Sequence, residues 1–116
     1  MVQSKDILKK LLMDLVKDVY EKNYDCLVKT KRSGRLSTEE IEEAISGYPG
    51  QLSLPPSHAF EHFDFYEVST KEHLHEWDIE FLLWFNGKES QLTLTCTVIE
   101  DNPGALNISI SSIHVR

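Results

Sequence analysis

The sequence predicts an α+β domain with two N-terminal helices packed on one face of a curved antiparallel sheet of about four strands. Three observations carry this expectation. Near the N-terminus, two segments repeat their apolar residues every 3.6 positions, the helical period. From Trp77 onward, three segments alternate apolar and polar residues, the strand period. Between them, Gly, Pro and Asn stand at turn positions. Strands that follow helices, rather than alternating with them, favour an antiparallel meander over a parallel sheet.

The first helix is expected over residues 5–22. Ser4 can cap it, and Leu8, Leu11, Leu12, Leu15, Val16 and Val19 fall on one face, with Lys9, Lys10, Asp14, Lys17 and Asp18 on the other. Asn23 and Asp25 then weaken the pattern. Residues 29–35 hold four cations, Lys29, Lys31, Arg32 and Arg35, around Ser33-Gly34. With no aromatic interleaving, this stretch reads as a solvated connection between helices rather than a phosphate-contacting loop. The second helix is expected over residues 37–47. Ser37-Thr38-Glu39-Glu40 is a capping box, with Leu36 and Ile41 at the staple positions. Ile41, Ala44, Ile45 and Tyr48 make the apolar stripe, Glu39, Glu42 and Glu43 project outward, and Gly47 offers a left-handed stop.

Pro49-Gly50 and Pro55-Pro56 bracket Gln51–Leu54, an edge strand or an extended connection. Strands are then expected over residues 63–68, 77–85, 91–99 and 106–115, with a polar loop from Ser69 to Glu76. Trp77, Ile79, Phe81, Leu83 and Phe85 share one face, and Asp78, Glu80, Leu82 and Trp84 the other. Asn86-Gly87 signals a hairpin, here within a loop of about five residues. Leu92, Leu94, Cys96 and Val98 alternate with Thr93, Thr95 and Thr97. Asp101-Asn102-Pro103-Gly104 forms the next turn. The last strand alternates Leu106, Ile108 and Ile110 and then shifts phase to Ile113 and Val115, which predicts a bulge near Ser111-Ser112. The helices should cover the Ile79/Leu94/Ile108 face. A cone-shaped, NTF2-like arrangement is one way to curve such a sheet.

The chain has 116 residues, which suits a single domain over 1–116 that buries roughly 65% of its unfolded surface without staples. No apolar run reaches the ~18 residues of a membrane span, and the N-terminus has no apolar run of the signal-peptide kind. Cys26 and Cys96 make no disulfide framework and are expected reduced in a cytoplasmic protein. Residues 1–35 carry nine Lys/Arg and five Asp/Glu, a net of +4, whereas residues 36–116 carry three and fourteen, a net of −11, together the −7 of the chain. An acidic surface of that size repels nucleic acid and favours a basic partner, although acidic surfaces also serve solubility alone.

No chemistry is announced. His58 and His62, and His73 and His75, have metal-ligand spacings, but their contexts are loops without a Cys motif, and surface histidines are the simpler reading. Cys96 sits at a core position where thiols are inert, and Cys26, beside Tyr24 and Leu27, reads as packing. Asp64, Glu67, Asp78 and Glu80 are the acid–base candidates, yet they alternate out of phase with apolar residues, as a solvated face would. No catalytic residue, cofactor or metal is therefore assigned. A binding face fits better. Trp84 and Leu82 emerge beside Asp78 and Glu80, an aromatic anchor among carboxylates suited to a basic protein partner. The alternative is that a loop or the first strand covers Trp84 in a second small core.

Gly34-Arg35-Leu36-Ser37 before Glu39-Glu40-Ile41, Tyr48-Pro49-Gly50-Gln51-Leu52, Pro55-Pro56, Trp77-Asp78-Ile79-Glu80, Leu83-Trp84 and Ser90-Gln91-Leu92-Thr93-Leu94-Thr95 together resemble a family of small bacterial domains without assigned function, over about residues 24–115. These motifs are structural and transfer no catalytic residue. In size and charge the chain is also similar to immunity proteins of contact-dependent growth inhibition and related polymorphic toxin systems. That resemblance implies a cytoplasmic, non-enzymatic protein that occludes a cognate toxin domain, a basic nuclease. The expected contacts are Asp78, Glu80 and Trp84, or alternatively Glu39, Glu42 and Glu43. The runner-up is an NTF2-like small-molecule-binding or enzymatic domain. Nucleic-acid binding through Lys29, Lys31, Arg32 and Arg35 is third and runs against the acidic remainder.

Overall fold

Amphipathic strands become stable only when their apolar face is covered, and the first half of the chain supplies the cover. A computed structural model describes residues 4–115. Its helices are α1 (Ser4–Tyr20), α2 (Tyr24–Lys29) and α3 (Thr38–Ser46). β1 (Leu52–Ser53), a 3-10 turn (Ser57–Glu61), β2 (Asp64–Val68), β3 (His75–Phe85), β4 (Lys88–Asn102) and β5 (Ala105–Val115) follow. The sheet is antiparallel in the order β1-β3-β4-β5, and β2 pairs with β3 as well. It curls into a half-barrel, an α+β fold. β1 meets β3 at Leu52↔Phe85 and β2 meets it from Asp64↔Glu80 to Val68↔Glu76, so the chain between them bows out beside the middle of β3.

α1 buries Leu8, Leu12, Leu15, Val16 and Val19, as its period requires, against Ile79, Phe81, Leu83, Leu94, Cys96, Val98, Ile108 and Ile110 in one core. Asp6 in the first turn and Lys17 in the last complement the helix dipole. The Ser4 side chain, expected to cap α1, lies outside the described residues. The helix stops at Tyr20 rather than continuing to 22. Lys22 takes φ 61°, and the amides of Lys22 and Asn23 donate to the Val19 and Asp18 carbonyls at 3.1 and 2.9 Å. α2, which the periodicity did not resolve, ends in the same way. Lys31 takes φ 61°, and the amides of Lys31 and Arg32 donate to the Val28 and Leu27 carbonyls at 3.1 and 2.8 Å. Both ends are Schellman motifs with lysine where glycine is usual. α2 contributes Tyr24 and Leu27 to the core, leaving Cys26 exposed and not packed as expected.

The capping box of α3 is formed. The Glu40 amide donates to Ser37 Oγ at 3.1 Å, and the Ser37 amide donates to Glu40 Oε1 at 3.0 Å. Gly47 does not supply the left-handed stop. Its φ is −75°, and it is Pro49, without an N–H, that prevents continuation.

The strand registers follow the predicted faces. Ile79 pairs with Cys96 and Phe81 with Leu94 on the covered side, while Asp78 pairs with Thr97 and Glu80 with Thr95 on the other. Asn86 and Gly87 form a two-residue turn with φ 54° and 74°, so β3 and β4 are longer than expected and the five-residue loop is replaced by a tight hairpin. The predicted bulge is present. Thr95 faces Ser112 and Cys96 faces Ile110, which leaves Ser111 as the extra residue and returns Ile113 to the core side. A second bulge was not foreseen. Leu82 faces Thr93 but Trp84 faces Glu89, so three β4 residues oppose Leu83. The buried Ser90 hydroxyl satisfies this irregularity by donating to the Leu83 carbonyl at 2.6 Å and accepting from the Leu92 amide at 3.1 Å.

The cationic stretch 29–35 docks on the sheet. The Ile110 amide donates to the Arg32 carbonyl at 2.7 Å, and the Arg32 side chain pairs with Asp18 at 2.8 Å. Gly34 makes the approach possible. At φ 62°, a Cβ there would overlap the Ile110 carbonyl oxygen. Gly34→Ala therefore suffers both left-handed strain and a backbone clash, and is expected to lose more than 2 kcal/mol. Gly87→Ala, at φ 74° with open space around it, is expected to lose about 1 kcal/mol. Chemical denaturation of the two variants side by side checks the order.

Candidate partner-binding face

The alternation that buries one side of the sheet leaves the other without a helix. On this bare face β3 presents Glu76, Asp78, Glu80, Leu82 and Trp84. β2 adds Asp64, Tyr66 and Val68, paired opposite Glu80, Asp78 and Glu76. β4 adds Glu89, Thr93, Thr95, Thr97 and Ile99. β5 continues the rows with Asn107, Ser109, Ser112 and His114. The strands thus bring five carboxylates to one surface, Asp64, Glu76, Asp78, Glu80 and Glu89, and the registers place no Lys or Arg among the described residues facing that way. Tyr66 is 52% exposed in the middle of them.

Asp78 is exposed and Glu80 half-buried, side by side on β3 as expected. Trp84 is half-buried and packed against the core, so it is only partly a surface residue. His58, from the bowed connection, stands edge-on to its ring at 6.1 Å. Glu39, Glu42 and Glu43 are all exposed on α3, in the helical layer. The sheet separates them from Asp78, Glu80 and Trp84, so the two acidic patches are different surfaces. Glu42 lines a separate groove of about 430 Å³ with Tyr20, Lys22, Tyr24 and Leu52. Burial, and then the charge of Glu42, push the Tyr24 phenol above its ordinary value.

Hydroxyls cover much of the remaining bare face, and most are satisfied in place. Thr95 Oγ1 bonds Ser112 Oγ at 2.6 Å, and Thr97 Oγ1 bonds Ser111 Oγ at 2.8 Å. Two buried polar atoms have no partner among the described residues, Thr93 Oγ1 and Trp84 Nε1, and both flank the second bulge. Sequence reasoning placed Thr93 on this face but could not show it was buried, because its burial depends on tertiary packing around the second bulge. Asp64 and Glu89 were also not singled out for this candidate face. Their signal was present, since each lies at the bare-face phase of its strand.

Of the acid–base candidates, Asp64, Glu67 and Asp78 are exposed and Glu80 is half-buried, so none stands in an apolar cavity. Glu67 departs from expectation. It pairs with Trp77 on the helix-covered side, at the sheet's open end, where its carboxylate meets His75 Nδ1 at 2.9 Å. His75 stacks on Trp77, and His73 bonds Asp101. His58 lies on the 3-10 turn and His62 just after it, so no helix face joins them. No group of three or more His, Cys, Asp or Glu among the described residues is arranged to hold a metal ion. Among those residues, no helix is long and apolar enough to cross a membrane.

These features define a small α+β domain with one buried and one acidic sheet face. The chain belongs to the family described as a domain of unknown function (DUF7668), whose model matches residues 12–116. Comparison with curated proteins and with solved structures yields no match.

Burial raises the Cys96 thiol well above its ordinary value by penalising the thiolate, whereas Cys26 is open to solvent. Iodoacetamide on the native protein is expected to modify Cys26 alone, with Cys96 reacting only after denaturation, as intact-mass spectrometry will read. Trp84→Ala is expected to lose about 2 kcal/mol, short of the ~3–5 kcal/mol of a fully buried tryptophan. Its melting temperature, measured against Trp84→Phe, checks how much of the residue is core.

Proposed function

We propose that this protein is a binding module that masks a basic protein surface with the bare face of its sheet. We propose further that it is a cytoplasmic immunity protein which neutralises a cognate bacterial toxin domain, a basic nuclease, by occlusion. The observation that carries the reading is the composition of that face: five carboxylates, no facing Lys or Arg among the described residues, an exposed Tyr66 opposite Asp78, and half-buried Leu82 and Trp84 further along β3. Such a face steers a basic partner into encounter and offers apolar contact once water is expelled. The step from binder to immunity protein rests on the likeness in size and charge to such proteins. An NTF2-like pocket enzyme or carrier draws less support. No Asp, Glu, His, Lys or Arg among the described residues is buried, and burial holds the Tyr24 phenol and the Cys96 thiol protonated, so the helix-covered core offers no ready acid–base pair.

The test is co-expression of the tagged chain with the C-terminal domain, about 150 residues, encoded by the open reading frame immediately upstream in its genome. A stable 1:1 complex that rescues growth from that domain's toxicity is expected. Association should slow as salt rises, and Glu76→Gln with Asp78→Asn should slow it more than Glu39→Gln, Glu42→Gln and Glu43→Gln together. No complex and no toxicity overturn the immunity reading. A salt-independent on-rate overturns the steering.

A further inference from the structure

Where the chain between β1 and β2 bows out, a small pocket of about 120 Å³ opens beside the second bulge. Asp64, Glu80 and Glu89 stand around it together with His62, Thr93 lines it, and Phe63 and Leu82 supply apolar wall. Thr93 is 3% exposed, and its Oγ1 has no partner among the described residues. The next hydroxyls in its row, Thr95 and Thr97, each bond a serine on β5. Thr93 instead pairs opposite His114, whose Nδ1 is engaged by Ser112 Oγ at 3.1 Å. A buried hydroxyl without a partner is unfavourable in the free protein and is relieved by a ligand that offers a donor.

We infer that this pocket is a socket for an arginine side chain of the protein partner: the guanidinium donates to Asp64, Glu80, Glu89 and the Thr93 hydroxyl oxygen, and its aliphatic stem lies on Phe63 and Leu82. The chemistry selects this ligand. Three carboxylates against the single imidazole of His62 leave the opening net acidic, which favours a cation. The carboxylates do not converge as a metal site would. The planar guanidinium carries five donors spread in a fork, enough to reach separate acceptors at once, and it is less strongly hydrated than an ammonium. The volume admits the end of one side chain and not a metabolite with its own scaffold. The inference rests on the bare face being the partner surface, but its test needs no toxin.

The experiment is an NMR titration of the ¹⁵N-labelled full chain with N-acetyl-arginine methylamide up to about 50 mM. The neutral isostere N-acetyl-citrulline methylamide and the lysine analogue serve as parallel probes. Saturable shifts are expected at the amides of Asp64, Glu80, Leu82 and Thr93 with the arginine probe, weaker ones with lysine and none with citrulline. Glu80→Gln should weaken binding about tenfold and Thr93→Val about fivefold, each variant first shown to be folded by its spectrum. No saturable shift by 50 mM, equal shifts with citrulline or lysine, or shifts equally strong at Glu39, Glu42 and Glu43 overturn the socket. Localised shifts with a failed co-expression leave the socket standing and the immunity reading fallen. A successful co-expression without localised shifts does the reverse.

Discussion

Covering one face of the β3–β4–β5 meander is the constraint on which the rest of the structure depends. Ile79, Leu94 and Cys96 are almost completely buried, in one core with Leu8, Leu12 and Leu15 of α1, Leu27 of α2 and Ile41 of α3. Strand alternation then has an unavoidable consequence: every second residue must point the other way. A chain that commits its apolar residues to one side commits its carboxylates and threonines to the other. The acidic face is therefore the by-product of the core pattern, and what makes it a candidate site is that the strand registers turn no Lys or Arg among the described residues toward it.

The two bulges give that face its relief. An extra residue in one strand bends it and re-aims the side chains that follow. At Ser111 the bulge returns Ile113 to the core and lets two serines meet Thr95 and Thr97. At Ser90 it spreads β4 beside Leu83, with the serine hydroxyl bridging the backbone groups that regular pairing would have satisfied. The pocket under Asp64, Glu80 and Glu89 opens beside this second irregularity, where a flat, regular sheet would have left none.

Charge is distributed with the same economy. Three cations of residues 1–35 have structural places in the helical segments: Lys22 and Lys31 close two helices and Arg32 reaches Asp18. Lysine at a helix C-terminus meets the negative end of the helix dipole, which favours it there despite the left-handed backbone. The stretch expected to be a solvated connection between helices is instead a structural joint, docked through the Arg32 carbonyl onto β5 with Ser33 buried and Gly34 granting the close approach.

Local pattern by itself determined the α+β class, the faces of β3, β4 and β5, the α3 capping box and the phase shift at Ser111-Ser112, because each of these is written in the spacing of a few neighbouring residues. Tertiary structure decided the remainder. α2 is too short to show a period, and its end is marked by Lys31 rather than glycine. The stop after α3 belongs to Pro49, not Gly47. The second bulge depends on a buried serine reaching across strands. Asp64 and Glu89 join Glu80 only through strand register, and the burial of Thr93, beside the second bulge and without a partner for its hydroxyl among the described residues, is not written in its local spacing. Sequence spacing decides which face a residue occupies; long-range packing decides which residues on that face meet, and which polar atoms are left without a partner.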